Sequence, residues 1–168
     1  MAELRTGADE QPSLLDRALA RAENAHANQF DRDDRPHIEH VIRVAERTRE
    51  CAPETLRDDA VIAAYLHDTI EDSGETQVDL LRDGFPADAV HAVSLVTRIA
   101  DEHDRKPAYN DYVRTVAVAP GRAGEIARLV KRSDLEDNLR RCEAAADPAA
   151  DRYRQALAIL DGYIPSDL

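Results

Sequence analysis

Residues 61–66, VIAAYL, are apolar on nearly every side of a helix, a pattern that is stable only where protein surrounds the helix on all faces. The rest of the chain must therefore supply the elements that cover it. Apolar residues elsewhere recur at helical spacing, and no alternating β-branched run lies between turn residues. These patterns predict an all-α fold whose core helix spans about Glu54 to Thr69. At 168 residues the chain is the size of one domain.

The flanking helices are marked by their ends. Ser13 with Asp16 forms a capping-box pattern that opens a helix carrying Leu15, Leu19, Ala22 and His26 on one stripe, ending near Gln29. Pro36 suits the first position of a second helix, with His37, His40, Val41, Val44 and Ala45, which ends near Cys51 and Pro53. After the core helix, Glu71-Asp72-Ser73-Gly74 reads as a polar loop, and Thr76 with Asp79 caps a short helix that Gly84 terminates. Pro86 begins another helix, through Val90, Val93 and Thr97, and Asn110 is placed to cap one carrying Tyr112, Val113 and Val116. Pro120 and Gly121 break the chain before a long helix over about Ala123 to Glu143. Asp147-Pro148 then forms a cap and start for a last helix with Tyr153, Leu157 and Leu160. The count is about eight helices, with residues 13–164 as the domain and 1–12 as a flexible N-terminal segment.

Charge and composition narrow the function. Against 22 basic residues stand 34 acidic ones, a net −12, which disfavours DNA or RNA as a partner. A small anionic substrate fits only where local basic groups or a bound cation reverse the sign. No apolar run approaches the roughly 20 residues that cross a bilayer, and the N-terminus carries no signal-like stretch, so no membrane partner and a cytoplasmic location are expected. Cys51 and Cys142 lie outside any CxxC, which points away from a disulfide framework or a zinc–thiolate site. A homo-oligomer is compatible with the sequence but not inferable from it. Arginine outnumbers lysine 20 to 2, which with the acidity also describes a protein tuned to high salt, a matter of habitat more than function.

The chemistry gathers where the core helix runs out. His67-Asp68 is followed by Glu71-Asp72, and ionisable groups emerging from a buried helix are costly unless opposite charge meets them. A divalent cation supplies that charge more fully than a lysine. His40, beside Val44 on an amphipathic face, and Asp134, with Lys131 and Asn138 at i−3 and i+4, turn inward on the helical wheel. Singly, each has a plainer reading: a helix-end histidine beside solvated acids, a core histidine, or an aspartate paired with Lys131 or Arg141. Together, two imidazoles and two carboxylates without thiolate suit manganese, iron or zinc, with manganese first. Glu71 or Asp72 could accept a proton from water or orient it.

The order His40, His67-Asp68, Asp134 resembles the HD-domain metal-dependent phosphohydrolases, and the surrounding words resemble the hydrolase domain of the RelA/SpoT-homologue family. That family's pattern AHxGQxRKxGEPYIxHP is met here by AHANQFDRDDRPHIEHV. Its LLHDxxEDTxxT is met by AYLHDTIEDSGETQ, and its KLADxxxNxR by VKRSDLEDNLR. The resemblance covers roughly residues 14 to 160 and implies an HD-like helical bundle around one metal site. It implies metal ligation by His40, His67, Asp68 and Asp134, with Glu71 and Asp72 as the acid/base pair. The implied activity is removal of the 3′-diphosphate of guanosine 3′,5′-bis(diphosphate) or its pentaphosphate (ppGpp/pppGpp), the alarmone of the stringent response, with Mn2+ the cofactor expected from the ligand set.

Departures from the pattern bear on the substrate. Asp31-Arg32 stands where the family has Arg-Lys, His37 where it usually has tyrosine, Asn28 where it has glycine, and Arg35 where it has glutamate. Arg32 remains a candidate phosphate ligand, with a surface pair to Asp33 or Asp34 as the alternative. Asn138 fits the family's asparagine near the ribose or phosphate, and Tyr153 resembles a pocket tyrosine, although each also suits a plain helix surface or core position. Asp31 leaves open another phosphorylated nucleotide, such as NADPH. A noncatalytic nucleotide-sensing module is the remaining alternative, and the intact Glu71-Asp72 pair speaks against it.

Overall fold

The computed structural model describes residues 11–31, 34–101 and 103–162. Among these residues lie nine helices and no named strand; one isolated bridge joins Phe30 to Pro36. The helices are α1 (Leu14–Ala25), α2 (His37–Cys51), α3 (Arg57–Leu66), α4 (Thr69–Ser73), α5 (Gln77–Arg82), α6 (Ala87–Val96), α7 (Tyr109–Val118), α8 (Gly121–Ala144) and α9 (Ala150–Asp161). The chain is all-α, as its periodicity predicts. None of the helices is long and apolar enough to cross a membrane.

Helix α3 packs against α1, α2, α6 and α8, which accounts for its uniform apolarity. Ala60, Val61, Ala63, Ala64 and Leu66 are fully buried. Each fully buried leucine or valine contributes about 2 kcal/mol relative to exposure. Both predicted capping boxes form, Ser13 with Asp16 and Thr76 with Asp79. Gly74 and Gly84 follow α4 and α5 with φ of 74° and 82°, the left-handed conformation that glycine adopts without strain.

Several boundaries differ from the sequence reading. Helix α1 stops at Ala25, with His26 as its cap, instead of near Gln29. The predicted helix over 54–69 is shorter and is followed by a second helix where a polar loop was expected. The cause lies in side chains that take main-chain carbonyls: His67 Nδ1 bonds the Ala64 carbonyl at 2.7 Å, and Thr69 Oγ1 donates to the Leu66 carbonyl at 2.8 Å. Asp72 N–H donates to the Asp68 carbonyl at 2.9 Å, continuing the chain as α4. Pro36 and Pro86 cap α2 and α6 from one residue outside. Asn110 lies inside α7, capped by Ala108, and donates across to Gln155. Asp147 accepts from Ala149 N–H at 2.8 Å, and α9 begins only at Ala150. Of the expected flexible segment, residues 1–10 lie outside the described residues.

Helices α7 and α8 meet at a turn with no room for a side chain. A Cβ built on Gly124 would stand 2.0 Å from the Ala119 carbonyl oxygen, a main-chain atom that cannot swing away. Gly124→Ala should therefore lower stability by about 1–3 kcal/mol, as overpacking does, despite alanine's better helix propensity. Thermal unfolding checks this, and an unchanged midpoint would show that the turn yields.

Candidate metal centre

Three helices that pack on one another carry the central residues. Helix α2 supplies His40, the end of α3 supplies His67 with Asp68, and α8 supplies Asp134. One ligand atom each from His40, His67 and Asp134 lie within 4.8 Å of one another, and all three residues are buried. Asp68 borders the group: its Oδ2 lies 3.2 Å from His67 Nε2 and 3.0 Å from His37 Nε2.

The tautomers follow from the acceptors. His67 Nδ1 faces a carbonyl oxygen, which can only accept, so the proton sits on Nδ1. Its Nε2 is buried without a hydrogen-bond partner. His40 Nδ1 lies 2.7 Å from Asp137 Oδ2, which directs its Nε2 toward Asp134 Oδ1 at 3.3 Å. Each imidazole is thus tied on Nδ1 and offers Nε2 to the shared centre, the arrangement in which an acceptor orients a metal-ligating histidine.

Electrostatics point the same way. Burial alone would lower the His40 pKa, but hydrogen bonds with Asp134 and Asp137 outweigh it and push the imidazole up to about 9. Burial likewise opposes charge on His67, and the adjacent Asp68 carboxylate raises it. Asp134 is desolvated, yet Lys131 and the His40 hydrogen bond hold its carboxyl well below the usual range. Asp68 is held low against burial by His67 and His37. The carboxylates thus demand positive charge, which protons on the imidazoles supply when nothing else does. A buried Nε2 without a hydrogen bond, 3.2 Å from a carboxylate oxygen, fits a divalent cation.

The remaining expected residues fall in different places. Glu71 lines the cleft above the centre and accepts from Lys106 Nζ and from the Arg98 main-chain N–H at 3.0 Å. Lys106, 35 residues further along the chain, thus brings positive charge to Glu71. Asp72 instead groups with His26 and His37. Asn138 also lines the cleft, but its Nδ2 donates to Asp134 Oδ1 at 2.6 Å. Tyr153 lines the cleft as well, edge-on to Tyr109 with 6.4 Å between ring centroids. Arg32 lies outside the described residues. Arg98, Lys131 and Arg141 also line the cleft and match in number its carboxylates Asp68, Glu71 and Asp134, so that a bound cation would turn the local charge toward what an anion needs. Asp31 is not among unmet acids: Arg141 reaches its Oδ2 at 3.0 Å.

One residue escaped the sequence reading, and another was read as a surface partner. Asp137, buried, accepts from Arg43 Nε at 2.8 Å while holding His40. Its position one helical turn after Asp134 was the available signal. Lys131 does pair with Asp134, at 2.8 Å, but the pair is buried, with the ammonium 5.1 Å from the Tyr112 ring centroid. Asp137→Ala should weaken cation binding about 10- to 100-fold by freeing the His40 ring, the usual cost of losing such an outer partner. Titration of chelator-stripped protein checks this, and an unaltered affinity would remove Asp137 from the centre.

Residues 18–159 match the family model described as HD domain. A probable GTP pyrophosphokinase of Mycobacterium leprae is 30% identical over 128 residues, which are 76% of this chain and 16% of that protein. The bifunctional (p)ppGpp synthase/hydrolase RelA of Mycobacterium tuberculosis is 39% identical over 62 residues, 37% of this chain and 8% of the relative. The chain thus spans less than a fifth of the curated relatives it matches. A solved structure described as a metazoan ortholog of SpoT that hydrolyzes ppGpp superposes with a TM-score of 0.69 at 21% identity, over 94% of this chain and 91% of the other, and shows the shared fold. With a family model matched across nearly all of its helices, this chain belongs to the HD domain family.

Proposed function

We propose that the chain is a divalent-cation-dependent pyrophosphohydrolase that removes the 3′-diphosphate of ppGpp. Water adds to the phosphorus attached to the 3′ oxygen, that P–O bond breaks, the 3′ oxygen takes up a proton, and GDP and pyrophosphate leave. The observation that carries the reading is the convergence of His40, His67 and Asp134, with His67 Nε2 buried and without a hydrogen bond, in a cleft that also holds basic side chains. His40, His67, Asp68 and Asp134 would hold the cation, manganese in this reading. When bound, it supplies acidity to water and offsets negative charge on phosphoryl oxygens.

The chain's own residues then divide the work. Glu71, at the cleft wall, is the carboxylate that takes a proton from water, and Lys106 with the Arg98 N–H fixes its orientation. Asn138 orients Asp134 and faces the substrate across the same edge. Tyr153 offers an aromatic wall, and Arg32 a phosphate contact. The (p)ppGpp and SpoT wording of the relatives supports the substrate. A second reading, another phosphorylated nucleotide such as NADPH, is favoured by Asp31, whose carboxylate stands in the family's basic position.

Mn2+-loaded protein incubated in parallel with ppGpp, GTP and NADPH decides between them. Pyrophosphate and GDP should appear from ppGpp at a rate at least tenfold above release from the others. Comparable rates throughout would replace alarmone specialisation with the broader reading. Binding of ppGpp without turnover would leave a sensor.

A further inference from the structure

His26 takes no part in the reading above and His37 enters it only through its contact with Asp68, yet their surroundings repeat its design. His26 is 1% exposed, and its Nδ1 lies 2.7 Å from Gln29 Oε1. The Gln29 amide has its orientation set by Nε2, which donates to the Asp72 carbonyl at 3.1 Å. Oε1 is therefore the acceptor and His26 Nδ1 the donor. That leaves His26 Nε2 with a lone pair, buried and without a hydrogen-bond partner. One ligand atom each from His26, His37 and Asp72 lie within 4.8 Å of one another.

We infer that His26, His37 and Asp72 form a second site for a divalent transition cation, beside the group made by His40, His67 and Asp134. Two imidazoles and a carboxylate bind such ions and leave positions for water or an anionic oxygen. An unmet acceptor in the interior is costly for a histidine that only fills space, whereas a cation satisfies it. The nitrogen is held in place by the same device that serves His40 and His67, an acceptor on Nδ1.

The two groups are contiguous. Ring centroids step from His26 to His37 by 4.8 Å, to His40 by 5.4 Å and to His67 by 5.5 Å. Asp68 Oδ2, within 3.0 Å of His37 Nε2 and 3.2 Å of His67 Nε2, stands between them and is placed to serve both. Paired cations of this kind clamp the attacking and leaving oxygens of a phosphoryl group. Burial falls from His26 through His37 to Asp72, which gives an ion a path from solvent. The inference concerns cation binding and holds whatever the substrate.

Chelator-stripped protein titrated with Co2+, with bound cobalt counted by equilibrium dialysis and followed by its visible absorption, tests it. Wild type should bind two equivalents per chain. His37→Phe and Asp72→Asn, both at the exposed side of the group, should each bind one while keeping the helical circular dichroism. His67→Ala should also bind one, held by the second group. A single equivalent in wild type that survives His37→Phe overturns the inference and leaves the first centre standing. Two equivalents that persist in both His37→Phe and Asp72→Asn also overturn it. A single equivalent lost in His37→Phe but kept in His67→Ala upholds this site and removes the first.

Discussion

Asp68→Ala protein supplied with Mn2+ should release pyrophosphate from ppGpp about 1000-fold more slowly than wild type. The expectation starts from position. Asp68 Oδ2 is the carboxylate oxygen nearest His67 Nε2, the buried nitrogen without a hydrogen bond, and it also meets His37. Removing it takes one ligand from the centre and leaves His67 and His37, which hold its carboxyl ionised, without their anionic partner. A cation lends several kcal/mol to a transition state that gathers charge on phosphoryl oxygens, and about 4 kcal/mol corresponds to a thousandfold in rate. The variant should fold, because the side chain sits at the end of α3, a quarter exposed, and fills no core position. Circular dichroism and turnover measured together separate misfolding from lost chemistry. Turnover within tenfold of wild type would place Asp68 outside the reaction.

What could be read from the chain alone depended on whether a feature is local. Capping boxes at Ser13 and Thr76 and the prolines before α2 and α6 act over three or four residues, so their helices appear where the pattern puts them, within a residue or two. The break between α3 and α4 was not legible in that way. It depends on His67 and Thr69 turning back onto carbonyls of the preceding turn, a choice between rotamers that periodicity does not see. Among the site residues, His40, His67 and Asp134 were visible because polar groups on faces otherwise built for burial stand out. Lys131 was legible only as a plain ion-pair partner of Asp134, and Asp137 not at all, because charges one turn apart on α8 give no sign of which are buried. Lys131 is covered by Tyr109 and Tyr112 of α7, and Asp137 by His40 and Arg43 of α2. Asn138 was legible as a cleft residue, but its bond to Asp134 needed coordinates.

Lys131→Met should lower the stability of cation-free protein by about 3 kcal/mol, because removing one member of a buried pair leaves the other uncompensated. Lys131 is 8% and Asp134 7% exposed, and their side chains meet at 2.8 Å. Methionine keeps the aliphatic length against Tyr109 and Tyr112, so lost packing contributes little. Asp134 retains the His40 imidazole, which limits the loss but does not replace the ammonium. For a domain of this size the thermal midpoint should fall by about 6–12 °C. A cation at the centre changes the balance by supplying positive charge to the same carboxylate. At saturating Mn2+ the difference between wild type and Lys131→Met should therefore shrink to less than half its cation-free size. Two melting curves for each protein, with and without Mn2+, give the answer. An equal deficit in both conditions would mean that Asp134 does not meet the cation, and the metal centre would have to be built without it.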